Sequence, residues 1–103
     1  MAISESFREA ADIYTGTLYT DITEPMEKKG YVFLAHSWTG NSPARPTEDW
    51  ETLVDKLGGE NAINADFDRD QDPAFTVTHI ATGKSAQGNG SVNVLAELWL
   101  AIN

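Results

Sequence analysis

The chain has 103 residues, and its 16 Asp and Glu against 7 Lys and Arg give a formal net charge of −9. This length suits one domain over residues 1–103, and the absence of cysteine excludes disulfides, thiol nucleophiles and thiolate metal sites. The acidity argues against direct binding of nucleic acid, because affinity for phosphate depends on clustered Lys and Arg.

The first predicted element is a helix over residues 5–14. The side-chain oxygen of Ser4 can cap its free amides. Phe7, Ala11 and Tyr14 follow at the spacing of one buried helical face. Residues 15–22 are rich in Thr and contain a Gly, so they fit either an extension of this helix or a separate strand.

The next segment predicts a short helix followed by a strand. Pro25 suits the first turn of the helix, and Gly30 suits its left-handed end. Residues 31–38 predict a central strand, because apolar residues, many of them β-branched or aromatic, occupy both of its faces. Residues 39–45 contain Gly, Asn, Ser and Pro and predict a loop.

The best-defined prediction is a helix that Thr47 caps and Gly58 ends. Its apolar residues recur at the spacing of a buried stripe: Trp50, Leu53, Val54 and Leu57. Residues 59–73 are polar and acidic and predict a loop, with Ile63 and Phe67 as its large apolar anchors.

The C-terminal third predicts a strand, a loop and a helix. Residues 75–80 alternate as a strand does, and residues 83–90 are small and polar like a loop. Ser91 can cap a final apolar helix, although a strand from residue 92 remains the alternative. The predicted architecture is α+β, with a small, mostly antiparallel sheet of two to four strands and two or three packed helices.

The negative charge is concentrated in two blocks. Residues 1–27 carry −5 and residues 46–72 carry −7, whereas residues 28–45 carry +3 and the rest is neutral. A concentrated negative surface accelerates association with a positively charged partner. We predict a partner-binding surface that combines acids of the second block with a tryptophan of the basic segment: Trp38, Glu48, Glu51, Asp55, Asp66, Asp68, Asp70 and Asp72.

Two short patterns partly match ligand-binding loops. The alternating carboxylates of residues 66–72 match the start of a calcium loop, but Gln71 replaces its Gly and Val77 its final Glu. A calcium site of another geometry remains open. Residues 82–85 match the end of a phosphate-binding loop, but Thr78 stands where that motif has its first Gly. We therefore predict an ordinary turn at residues 82–84.

His36 and His79 both fall in predicted strands, and we expect them to be structural, hydrogen-bonded residues. The alternative is a small metal-dependent hydrolase that uses both histidines and the acids of residues 66–72. We predict no cofactor, no bound metal and no catalytic residue, because the sequence contains no complete motif for any of the three.

The leading hypothesis is a non-enzymatic acidic inhibitor that blocks the basic nucleic-acid-binding site of a partner protein. Phage anti-CRISPR and anti-restriction proteins and bacterial immunity proteins act in this way. A homodimeric scaffold is a further alternative, since the apolar residues 98–102 could pair across chains. Residues 1–5 have no basic start and no apolar core of signal-peptide length, and no apolar run reaches the roughly 18 residues of a membrane span. We therefore expect a cytoplasmic protein without a membrane partner, in a bacterium or in the host of a phage.

Overall fold

The computed structural model describes residues 3–14, 20–31 and 49–103. Within these ranges a three-strand antiparallel sheet has the order β1-β2-β3. The predicted α+β class is therefore confirmed, with one helix more than the two or three expected. The elements are α1 (Glu5–Ala11), α2 (Thr20–Lys28), α3 (Trp50–Lys56), a 3-10 turn (Glu60–Ala62), β1 (Ile63–Phe67), β2 (Phe75–His79), β3 (Ser85–Gly88) and α4 (Ser91–Ile102).

Helices α1 and α4 pack against one face of the sheet, α2 and α3 pack against α4, and the other face of the sheet is polar. Paired positions of β1 and β2 put Ala65 opposite Val77 and Phe67 opposite Phe75 on the helix side. Phe7 of α1 lies at the centre of this core, with its ring 5.3 Å from Phe75 and 5.7 Å from Trp50, both edge-to-face. Such aromatic pairs add stabilisation beyond the area that they bury.

The predicted stripe of α3 is buried, which confirms the periodicity argument. Trp50, Leu53, Val54 and Leu57 are at most 6% exposed. The helix begins at Trp50, with Asp49 as its N-cap residue. The expected cap at Thr47, the strand over residues 31–38 and the loop over residues 39–45 lie outside the described residues, apart from Tyr31.

Helix α1 is shorter than predicted. It begins as expected, with the Ser4 side chain accepting from the Phe7 amide, but it ends at Ala11. The N-terminus of α4 supplies the reason, because the Ser91 hydroxyl donates to the Ala11 carbonyl and the Ser91 amide donates to the Tyr14 carbonyl. Tyr14 leaves the helical face and is 51% exposed, so its predicted burial is wrong.

Helix α2 begins at Thr20, so Pro25 occupies its interior rather than its first turn. Thr23 and Met26 are fully buried on either side of Pro25. Packing against the core thus outweighs the backbone hydrogen bond that proline cannot make. Gly30 ends the helix at a φ of +99°, as predicted. Of residues 15–22, the structure describes 20–22, which belong to α2.

Two predicted loops contain strands. The segment 59–73 includes β1, in which Ile63 and Ala65 are buried and alternate with exposed Asn64 and Asp66. The segment 83–90 includes β3, which pairs with β2 across a turn at residues 80–84. This turn confirms the expectation for residues 82–84, and Gly83 adopts a φ of +73° within it.

Helix α4 confirms the preference for a helix over a strand at the C-terminus. Its N-cap residue is Gly90, so Ser91 opens the helix without capping it. Leu98 and Trp99 are buried, and Leu100 and Ile102 pack partly against the core. Of the apolar residues 98–102, Ala101 is exposed and the other four contribute to the chain's own core. In the described ranges, no helix has the length and apolarity to cross a membrane.

Alanine substitutions at Gly58 and Gly30 test how closely the chain packs around the C-terminal end of α3. Gly58 and Gly30 each end a helix with a positive φ, but a Cβ at Gly58 would lie 2.9 Å from the Ala62 Cβ, whereas one at Gly30 meets nothing within 4 Å. In both alanine variants, backbone strain is expected to lower the free energy of unfolding by about 1–2 kcal/mol. We expect Gly58→Ala to lose about 1 kcal/mol more, from steric overlap, in urea unfolding. Equal losses would contradict close packing at Gly58.

Candidate functional site

The N-terminus of α1 is fastened to the outer edge of β1 by Ser4. Ile3 forms a parallel bridge with Ala65, and the Ser4 amide donates to the Ala65 carbonyl at 3.0 Å. The Ser4 hydroxyl accepts from the Phe7 amide at 3.1 Å and donates to Asp66 Oδ1 at 2.7 Å. The Ser6 hydroxyl donates to the same oxygen at 3.0 Å. Asp66 is therefore held against the start of the helix.

These contacts change the acidity of Asp66. The hydrogen bond from Ser4 is the largest cause that lowers the pKa of Asp66 below its ordinary value, and partial burial opposes it. The Ser6 hydroxyl and the Phe67 backbone amide lower the pKa further. Asp66 accordingly carries its negative charge at neutral pH while serving a structural role.

The loop between β1 and β2, residues 68–74, is braced by hydrogen bonds within the loop and by the side chain of Asn89. Asp68 Oδ1 accepts from the Asp70 amide, and the Asp68 carbonyl accepts from the Gln71 amide, both at 3.0 Å. Asn89 bridges the far side, since its Nδ2 donates to Asp72 Oδ1 and its Oδ1 accepts from the Ala74 amide. The loop carboxylates are thus presented by an ordered backbone.

A groove of about 680 Å³, here called the sheet groove, lies over the polar face of the sheet. Asn64, Thr76 and Thr78 contribute to its lining from β1 and β2. Its acidic residues are Glu5, Asp66 and Asp68, and none of the described residues that line it is Lys or Arg. The sheet groove is therefore a negatively charged, hydrogen-bonding surface.

A second groove of about 490 Å³, here called the loop groove, lies between α1 and the β1–β2 loop. Asp68 lines both grooves, so the two are neighbours. Glu9 and Asp70 contribute further negative charge, and Arg69 is the one base among the described lining residues. The two grooves together form one acidic surface, here called the acidic face: Glu5, Glu9, Asp66, Asp68 and Asp70.

The α3 acids lie in a different, smaller groove. Glu51 and Asp55 line a space of about 130 Å³ together with Arg8 and Glu60. Arg8 and Glu60 form an ion pair in which both side chains are substantially exposed. Arg8 offsets part of the negative charge there, so this surface is less strongly negative than the sheet groove.

The structure thus brings together only part of the predicted contact set. Asp66, Asp68 and Asp70 share the acidic face, and Asp72 follows in the same loop. Glu51 and Asp55 line the smaller groove beside α3, which shares Ile3 with the sheet groove, while Trp38 and Glu48 lie outside the described residues.

Sequence reasoning did not assign Glu5 and Glu9 to this surface. Both are exposed on α1 and line the sheet groove and the loop groove, respectively. Their spacing of four residues is a usable signal, because it places both carboxylates on one side of a helix.

The histidine prediction is tested only at His79. Its Nδ1 lies 2.9 Å from Thr82 Oγ1, as expected for a hydrogen-bonded structural histidine, and His36 lies outside the described residues. Among the described residues, no group of three His, Asp or Glu side chains is placed to hold a metal ion. The alternative hydrolase site includes His36 and therefore extends outside the described residues.

Comparisons with protein families, with curated proteins and with solved structures find no match to this chain.

The Ser4 contacts predict a stability difference between two serine variants. Ser4→Ala removes the helix cap and one hydrogen bond to Asp66, so we expect a loss of about 1 kcal/mol in urea unfolding. Ser6→Ala removes only the second hydrogen bond to Asp66 and is expected to cost about 0.5 kcal/mol or less. Equal losses in the two variants would show that capping contributes nothing.

The lowered pKa of Asp66 predicts a pH dependence. Because the unfolded chain holds this proton more tightly, the ionised Asp66 stabilises the fold above the ordinary Asp pKa of 3.8. This contribution disappears as pH falls through the lower pKa of the folded state. We expect wild type to melt above Asp66→Asn at pH 6 and the gap in Tm to narrow toward pH 2.5. A gap that stays constant over this range would contradict the lowered pKa.

Proposed function

We propose that this chain is a non-enzymatic acidic inhibitor whose acidic face blocks the basic nucleic-acid-binding site of a partner protein. The braced β1–β2 loop carries this proposal, because it presents Asp68 and Asp70 on an ordered backbone beside Asp66. Ordered carboxylates need little further ordering on binding, so less conformational entropy is lost when the partner docks.

The charge distribution supports a protein partner of opposite sign. A net charge of −9 on 103 residues attracts a basic surface over long range, and the acidic face gives that attraction a direction. A site that binds nucleic acid is rich in Lys and Arg, so carboxylates compete there for the same cations as phosphates. Association is then fast at low salt and weakens as salt rises.

This proposal places the protein in the class of phage anti-CRISPR or anti-restriction proteins or bacterial immunity proteins. Such a protein meets its target in the cytoplasm of a bacterium, which is also where a phage-encoded inhibitor acts. The proposed contact set retains the predicted residues that the structure places elsewhere or does not describe: Trp38, Glu48, Glu51, Asp55 and Asp72.

Capture followed by displacement tests the function directly. The immobilised chain is exposed to a bacterial lysate at low salt, and bound proteins are eluted by rising salt. Each recovered protein is then assayed for binding to a labelled DNA or RNA duplex, with and without the free chain. We expect a basic protein whose duplex binding the chain abolishes competitively. Recovery of only proteins whose duplex binding is unaffected would overturn the proposal.

Two charge-matched variants separate the acidic face from net charge. Asp68→Asn with Asp70→Asn, and Glu97→Lys alone, each make the chain two units less negative than −9. Asn at position 68 can still accept from the amide of residue 70, which preserves the loop. We expect association with the captured partner at low salt to slow about tenfold in the double variant and less than about twofold in Glu97→Lys.

Stopped-flow mixing at several salt concentrations measures these rates. Equal slowing of the two variants would show that net charge acts without a defined face.

A further inference from the structure

The loop groove contains an exposed apolar patch as well as acids. Among the described residues, the large apolar side chains most open to solvent are Ile13, Tyr14 and Ile80, at 70%, 51% and 52%. Ile13 and Tyr14 are neighbours in the loop groove, where Ala10 and Phe67 also contribute apolar surface. Exposed apolar groups that cluster in a groove with a polar rim are typical of interaction sites.

Tyr14 is held in place from two directions. Its carbonyl accepts from the Ser91 amide at 2.7 Å, and its ring stacks on Phe67 with centroids 5.8 Å apart and an angle of 12°. Phe67 in turn contacts the ring of Phe75, which is fully buried. The exposed aromatic surface is therefore continuous with the core, so a partner meets a preformed site.

The rim of the loop groove is mainly acidic. Glu9 lies on the α1 side, and Asp68 and Asp70 lie on the loop side, with Arg69 between the two aspartates in sequence. An apolar floor with this rim is complementary to a segment that carries both an apolar side chain and positive charges. A second copy of the chain is a poor occupant, because a symmetric interface would bring the same acidic rims together.

We propose that the loop groove binds a basic segment of the partner through one apolar side chain flanked by Arg or Lys. The apolar side chain packs on Ile13 and Tyr14, and the flanking cations pair with Glu9, Asp68 and Asp70. An Arg can also lie against the Tyr14 ring. The volume of about 490 Å³ is within the range of ordinary ligand sites and accommodates such an anchor. This inference rests on the proposed function and names the partner element that it recognises.

Two synthetic peptides test whether the loop groove binds an apolar side chain between cations, and this test does not require the partner to be identified. One has a central Leu between two Arg on each side, and the other has Gly in place of the Leu. Both carry a fluorescent label, and binding to the full chain is followed by anisotropy. We expect the Leu peptide to bind wild type about tenfold more tightly, because burial of Leu adds to the same charge attraction.

Three single variants locate that preference. Ile13→Ser and Tyr14→Ser are expected to reduce the tenfold preference to about twofold or less. Ile80→Ser is a control on the β2–β3 turn, with Ile80 as exposed as Tyr14, and is expected to keep the preference. Ile13→Ser is less disruptive to the fold than Tyr14→Ser, because Ile13 takes no part in the Tyr14–Phe67 stack. Amide chemical shifts of the labelled chain should change most at residues 13, 14 and 67–70.

The outcomes separate this inference from the proposed function. Equal affinity of wild type for the two peptides, a preference unchanged in Ile13→Ser, or a dimer that buries Tyr14 would each overturn the groove proposal. The displacement assay is measured independently of the peptide assay, so the proposed function keeps its own test. Conversely, a Leu preference that maps to Ile13 and Tyr14 supports the groove even if the displacement assay fails.

Discussion

The attachment of Ser4 to the edge of β1 is the constraint on which the acidic face depends. One hydroxyl caps α1 through the Phe7 amide and also donates to Asp66, while the Ser4 amide binds the Ala65 carbonyl. A helix of seven residues is too short to persist alone, so these bonds and the burial of Phe7 hold it in place. Because α1 also carries Glu5 and Glu9, the position of these two carboxylates follows from the same attachment.

The surface around the β1–β2 loop combines charge and apolar contact in one place. Charge alone would give fast but unspecific association, and apolar contact alone would favour aggregation. Here Tyr14 and Phe67 form a stacked pair beside Asp68 and Asp70. One surface therefore offers both long-range electrostatic attraction and apolar area for close packing.

The sequence predicted correctly those elements that are determined by residues close together in the chain. The Ser4 cap, the α3 stripe and the helical C-terminus all depend on residues within one or two turns. The alternation in β1 was present in the sequence, but its acidic and polar residues favoured a loop. For β3 the residues Ser85–Gly88 carry little strand propensity, and pairing with β2 decides their structure. The end of α1 could not be predicted, because Ser91 caps it from a distant part of the chain.

The contacts that close the fold join distant parts of the chain: Ile3 pairs with Ala65, and Ser91 binds Ala11. During synthesis on the ribosome, α1 therefore emerges long before either of its partners exists. The nascent N-terminal segment exposes Phe7 until β1 has been made. The carbonyl groups of Ala11 and Tyr14, at and just after the end of α1, receive their hydrogen bonds from Ser91 only when that residue has been made. We expect folding to wait for nearly the whole chain, so that ribosome-bound intermediates and chains truncated before α4 remain substrates for chaperones and proteases.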